Sequence, residues 1–134
     1  MIKGWTTCAL AGLAMALAAA SAEARTNQFA LACISSDTGD SVYFAYRWGT
    51  KGQWTEVTAD PGQWRMLMWN YDRGNENRSP QLQVRYDDDM SNGENFVVTD
   101  VEAYAANAED CEGQGKTYHF QNRRGELFLV EDDE

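Results

Sequence analysis

From Asn27 onward, apolar and polar residues alternate in short runs instead of recurring every third or fourth position, and turn formers interrupt them about every ten residues. This is the pattern of strands. It predicts strands over 29–35, 42–48, 54–58, 63–71, 82–86, 96–101, 117–121 and 126–130. Asp37-Thr38-Gly39-Asp40, Asp60-Pro61-Gly62, Ser91-Asn92-Gly93 and Arg124-Gly125 supply turns between them. Residues 101–108 have a short helical turn as an alternative, because Glu, Ala and Asn tolerate it. The expected fold is all-β: an antiparallel sandwich of seven or eight strands, immunoglobulin-like or jelly-roll-like.

Alternation also assigns faces. Val42, Phe44, Tyr46 and Trp48 share one side of their strand and Tyr43, Ala45 and Arg47 the other, so the first set is core. In 63–71, Trp64, Met66 and Met68 oppose Arg65, Leu67, Trp69 and Tyr71, so the strand is apolar on both sides. Only one side can face a second sheet, and the other is either covered by a loop or shown as an aromatic platform. Counting Trp48 and Trp64 as core leaves Trp54 and Trp69 free for contacts.

Residues 1–24 carry a different pattern: Lys3, then the apolar run 9–20, then Ala22-Glu23-Ala24 before Arg25. They read as an export signal, with Ala20-Ser21-Ala22 as an alternative cleavage site. Twelve apolar residues are too few for a membrane span, which needs about 20. Cys8 precedes that run, where a lipidated cysteine would follow it. The expected organisation is a signal over 1–24 and one domain over 25–134, in a periplasmic or secreted protein.

Loss of Lys3 and Glu23 with the signal leaves 10 basic and 20 acidic residues. So acidic a surface repels phosphate backbones and excludes nucleic-acid binding. Residues 25–86 hold 7 basic and 6 acidic groups, whereas 87–134 hold 3 and 14. A negative pole near Asp87 to Asp89 and the C-terminal tail is therefore expected, able to steer a basic partner. Cys33 and Cys111 are the cysteines left after residue 24, and in an oxidising compartment two such cysteines form one disulfide.

Each chemical candidate competes with a structural reading. His119 is the sole histidine, has no nucleophile placed beside it by sequence, and reads as a surface residue of a sheet. A glycosidase pair of carboxylates needs a cleft that so small a sandwich rarely provides, and no enzymatic activity is expected. Asp87, Asp88, Asp89, Ser91, Asn92 and Glu94 form a loop dense in oxygen ligands, and Asp87, Asp89 and Glu94 would suit calcium. The EF-hand spacing fails, however, with glycine at position seven and Val98 at position twelve, so a solvated acidic turn is the plainer reading and no cofactor is required. Residues 72–80 form a polar loop after the aromatic strand. Its Arg73, Asn75, Asn77 and Arg78 set planar donors beside Trp69 and Tyr71.

The string Val42-Tyr43-Phe44-Ala45-Tyr46-Arg47-Trp48-Gly49, with Trp54, Pro61-Gly62, Trp69-Asn70-Tyr71, Ser79-Pro80, Val84-Arg85-Tyr86-Asp87 and Tyr104-Ala105-Ala106, resembles a small uncharacterised bacterial extracytoplasmic β-domain. That domain occurs in secreted single-domain proteins and as the tail of some caspase-like peptidase chains. The resemblance implies an accessory or interaction module without catalysis. The expected function is thus an exported binding domain that recognises a protein through Trp54, Trp69, Tyr71, Arg73, Asn75, Asn77 and Arg78. Glycan stacking on the tryptophans is the alternative.

Overall fold

A computed structural model describes residues 27–74, 77–91 and 93–132. The expected signal and Asn75 lie outside the described residues. Nine strands form: β1 (Phe29–Ser36), β2 (Val42–Trp48), β3 (Thr55–Ala59), β4 (Arg65–Asn70), β5 (Leu82–Asp87), β6 (Phe96–Val101), β7 (Tyr104–Ala106), β8 (Lys116–Arg123) and β9 (Glu126–Glu131). They make two sheets, one in the order β4-β1-β8-β9 with β7 also on β1, the other in the order β3-β2-β5-β6. All pairs are antiparallel except β1 with β8, which is parallel. The expected β-sandwich is present, with one parallel pair that alternation cannot reveal.

The alternative of a helical turn over 101–108 is not taken: β7 pairs Tyr104 to Ala106 with Leu31 to Phe29. The strand forms because the edge of β1 offers it a template, although two alanines have little strand preference of their own. The chain then turns back, is joined through Cys111 to Cys33, and enters β8 along the remaining half of the same β1 edge. Gly115 permits this close approach, since a Cβ there would stand 3.1 Å from the Leu31 side chain.

β1 is buried along its whole length, which explains the apolar run over 29–34. Ala32 and Ile34 face the inter-sheet core with Phe44, Leu67, Leu82, Val84 and Phe120. Leu31 and Cys33 point the other way, into a smaller cluster with Phe29, Ala106 and Cys111 that Trp64 covers. In β4, Leu67 is the side chain in the core while Met66 and Met68 are exposed, so the inner face is that of Leu67 and Trp69. Trp64 therefore lies on the outer face of its sheet, and Trp69 is turned inward against Trp48, with ring centroids 6.1 Å apart.

Two tyrosines tie the sheets together. The Tyr118 hydroxyl accepts from the Glu102 amide at 3.0 Å and lies 3.1 Å from the Glu102 carbonyl, to which it donates. Burial is the main cause that pushes its pKa up to about 12. The Tyr86 hydroxyl similarly accepts from the Leu129 amide at 3.4 Å. The neutral phenol of Tyr118 is favoured in the folded state, so its contribution is complete below pH 10, the ordinary tyrosine value, and is lost as pH rises toward 12. Tyr118→Phe should cost about 1–2 kcal/mol at pH 7, measured by urea unfolding, because the Glu102 amide loses its acceptor. The same variant should flatten the fall in stability between pH 10 and pH 12, compared with the parent protein.

Candidate binding surface

The outer face of the four-stranded sheet carries the most exposed large apolar side chains among the described residues. Register places Tyr43, Ala45 and Arg47 of β2 beside Gln83 and Arg85 of β5, with Val98 and Asp100 of β6 beyond them. Tyr43 is 81% exposed, Phe96 57% and Val98 51%. Trp54 continues β3 backwards in register with Arg47 and reaches across β2. The Arg47 guanidinium stands 4.2 Å from its ring centroid and that of Arg85 4.7 Å, while Arg85 also lies 5.9 Å from the Phe96 ring. Arg47 donates to Gln83 at 2.9 Å, and Gln83 donates to Asp100 at 2.9 Å. Among the described residues neither arginine pairs with a carboxylate. The face thus offers aromatic and guanidinium groups held in fixed positions, which limits the side-chain entropy lost on contact.

The other expected contact residues are divided. Trp69 is engaged by Trp48, and Tyr71 is half-buried, its phenol pKa raised by that burial. Arg73, Asn77 and Arg78 are exposed, and Asn77 accepts from the Asn27 amide group at 3.0 Å. Asn77 holds φ 64°, the left-handed conformation asparagine tolerates better than most residues. The loop returns to the β2–β3 turn, where the Gly49 amide donates to the Gln81 carbonyl at 2.7 Å. Its end is therefore joined to the turn that carries Trp54, whereas Trp69 is drawn inside. Tyr43, Phe96, Arg47 and Arg85 were not singled out by sequence reasoning. The alternation of 42–48 does turn Tyr43 and Arg47 outward, and that was the available signal.

In the acidic turn the carboxylates serve the backbone. Asp87 Oδ1 accepts from the amides of Asp89 and Asn95 at 3.0 and 2.8 Å, and Asp89 Oδ1 accepts from the Ser91 amide at 2.9 Å. Asp88 accepts from the Asn95 side chain at 2.8 Å, and Glu94 is exposed. Among the described residues no three His, Cys, Asp or Glu side chains are grouped to hold a metal ion. The turn also crosses to the other sheet: the Leu127 amide donates to Asp88, the Met90 amide donates to Gly125, and Asp89 bridges to Glu126. That contact is at the start of β9, while Asp132, whose amide bonds Thr117, is past its end. A strand of this length spans roughly 17 Å. Among the described residues the expected negative pole is thus divided between two ends of β9, and Asp133 and Glu134 of the tail lie outside them.

His119 hydrogen-bonds Asp132 through Nδ1 at 2.6 Å, and its ring centroid is 5.0 Å from that of Trp64. Ser35 is its neighbour in the β1–β8 register, but that hydroxyl is buried and donates to the Asp60 carbonyl at 2.9 Å. The pair therefore anchors the end of β9 to β8, with no serine hydroxyl hydrogen-bonded to the ring among the described residues. Lys116, buried, pairs with Glu131 and donates to the Tyr104 hydroxyl at 3.1 Å; these partners raise its pKa, Glu131 foremost.

No family model, curated protein or solved structure matches this chain. Among the described residues no helix is long and apolar enough to cross a membrane. The disulfide is of a kind found in oxidising, non-cytoplasmic compartments.

Proposed function

We propose that this protein is an exported, non-enzymatic binding domain whose partner is another protein. The observation that carries the reading is the outer face of the four-stranded sheet, where Tyr43, Phe96 and Val98 stand exposed around Trp54 and its two arginines. Isolated exposed apolar residues need no explanation, but aromatics gathered with arginine are the composition of protein contact surfaces. Arg73, Asn77 and Arg78 stand exposed on the loop whose end is joined to the β2–β3 turn. Export is supported by the signal pattern of residues 1–24 together with the disulfide. The likeness to an extracytoplasmic β-domain agrees with an accessory role.

A glycan platform is the weaker alternative, because both tryptophans reserved for it are occupied: Trp54 by guanidinium groups and Trp69 by Trp48. The decisive experiment compares the parent protein with Tyr43→Ala/Phe96→Ala, both exposed positions whose truncation should move the melting temperature by only a few degrees. Immobilised parent protein should retain a protein from extracytoplasmic extract, and the double variant should retain at least about tenfold less of it, a loss of about 1.4 kcal/mol or more. Equal retention by both proteins would reject the face. Binding on a glycan array that is abolished in Trp54→Ala would favour the alternative.

A further inference from the structure

The β2–β5 ladder breaks off part-way along both strands. Hydrogen-bonded positions recur at Gly49–Gln81, Arg47–Gln83 and Ala45–Arg85, and the next in this rhythm is Tyr43 with Asp87. Pairing stops at Ala45 and Arg85, although β2 remains paired with β3 as far as Val42 and β5 with β6 as far as Asp87. The strands fork because the turn after β5 leaves its sheet and hydrogen-bonds the start of β9 instead. The Asp88 amide bonds the Asn95 carbonyl on the β6 side, so by the alternation of a strand the Asp87 amide and carbonyl point toward β2. Those of Tyr43 point toward β5 for the same reason.

A cleft of about 950 Å³ opens in this fork. Val42, Phe44, Val57, Tyr86, Met90 and Leu127 supply its apolar lining, Asp87 and Asp89 stand on its β5 side, and Glu56, Arg65 and Arg85 also reach it. Two facing strand edges call for an occupant that carries amide and carbonyl groups at strand spacing, a requirement that a backbone meets and a hydrocarbon does not. Arg65 is engaged by the Thr58 carbonyl and Arg85 by the Trp54 ring. The turn on the β5 side, by contrast, bears Asp87, Asp88, Asp89 and Glu94 with no basic residue from 87 to 94, which favours positive charge at that end of the inserted segment. We propose that an extended apolar peptide segment flanked by basic residues enters between β2 and β5 as a short added strand. This rests on the protein-binding reading above and names the chemistry of the partner and its point of entry.

The test has two stages. In the free protein, hydrogen exchange followed by NMR should show the Tyr43 and Asp87 amides exchanging at least about tenfold faster than those of Ala45 and Arg85. Equal protection of all four would mean that the ladder is closed and would overturn the proposal. A displayed library of random decapeptides is then selected on the full mature chain. The expected winners alternate apolar residues, carry Lys or Arg at their ends and slow exchange of the Tyr43 and Asp87 amides about tenfold or more. N-methylation of the central peptide residue should weaken them at least tenfold, and Asp89→Asn should reduce the salt dependence of binding. Winners that protect Tyr43 and Asp87 poorly, yet lose affinity in Trp54→Ala/Val98→Ala, outer-face positions away from the cleft lining, would reject the fork and leave the outer-face reading intact. Failure to enrich any peptide, or binding of dodecanoate in the cleft with no peptide competing, would reject the proposal.

Discussion

Reducing the disulfide between Cys33 and Cys111 is expected to lower the melting temperature by about 20 °C. The bond closes a loop of 78 positions, and the chain-entropy estimate for a loop of that size is about 4.5 kcal/mol. In a domain of about 100 residues each kcal/mol moves the midpoint by about 4–8 °C. The bond also pins the segment between β7 and β8 over Leu31 and Phe29, so its loss uncovers the smaller apolar cluster as well as loosening the unfolded chain. Differential scanning calorimetry with and without reductant, and of Cys33→Ser/Cys111→Ser, measures the effect. A shift below about 5 °C in both would show that the unfolded chain is little constrained by the link, and mass spectrometry finding two free thiols in the native protein would remove its basis.

Phe120→Ala should be comparably damaging, costing about 4 kcal/mol. Phe120 has no exposed surface, and its ring meets Phe44 at 5.5 Å and Tyr86 at 5.1 Å, one aromatic from each side of the β2–β5 fork. Removing it leaves a cavity directly beneath the place where the four-stranded sheet is already unpaired, so little backbone is positioned to collapse into it. Phe120→Leu keeps most of the volume and should cost only about 1–1.5 kcal/mol. Urea midpoints at an unchanged slope give both values. If Phe120→Ala fell within 1 kcal/mol of the parent protein, the two sheets would have to repack around the gap.

Alternation was enough to locate strands that lie between a wet face and a dry one, as β5 does with Leu82, Val84 and Tyr86 buried, while β1, buried on both faces, is legible as an apolar run over 29–34. It failed for β7, whose Tyr104-Ala105-Ala106 is too short to alternate and is held by the β1 edge and the nearby disulfide. It also could not decide between the two apolar faces of β4, since both are apolar and the choice depends on which sheet lies opposite. The acidic turn admitted calcium as a second reading beside a solvated turn because aspartates at close spacing suit either a metal or a set of turn amides, and Asp87 here accepts from two amides. The fork between β2 and β5 was illegible for a deeper reason. A register that stops is a relation between two strands, and neither strand records it in its own residues.

The parallel pairing of β1 with β8 bears on the order in which the molecule can be assembled. A chain made from its N-terminus presents β1 first, apolar over 29–34, and the strands of one of its two edges, β7 and β8, arrive only near the C-terminus. β4 can occupy one edge early, but the other stays bare until β7 and β8 emerge, a long-range closure that slows folding. For that interval β1 is the segment most exposed to false partners and the one a holding chaperone would be expected to cover. Truncations ending before Lys116 should therefore aggregate through residues 29–36, and those that include β8 should not.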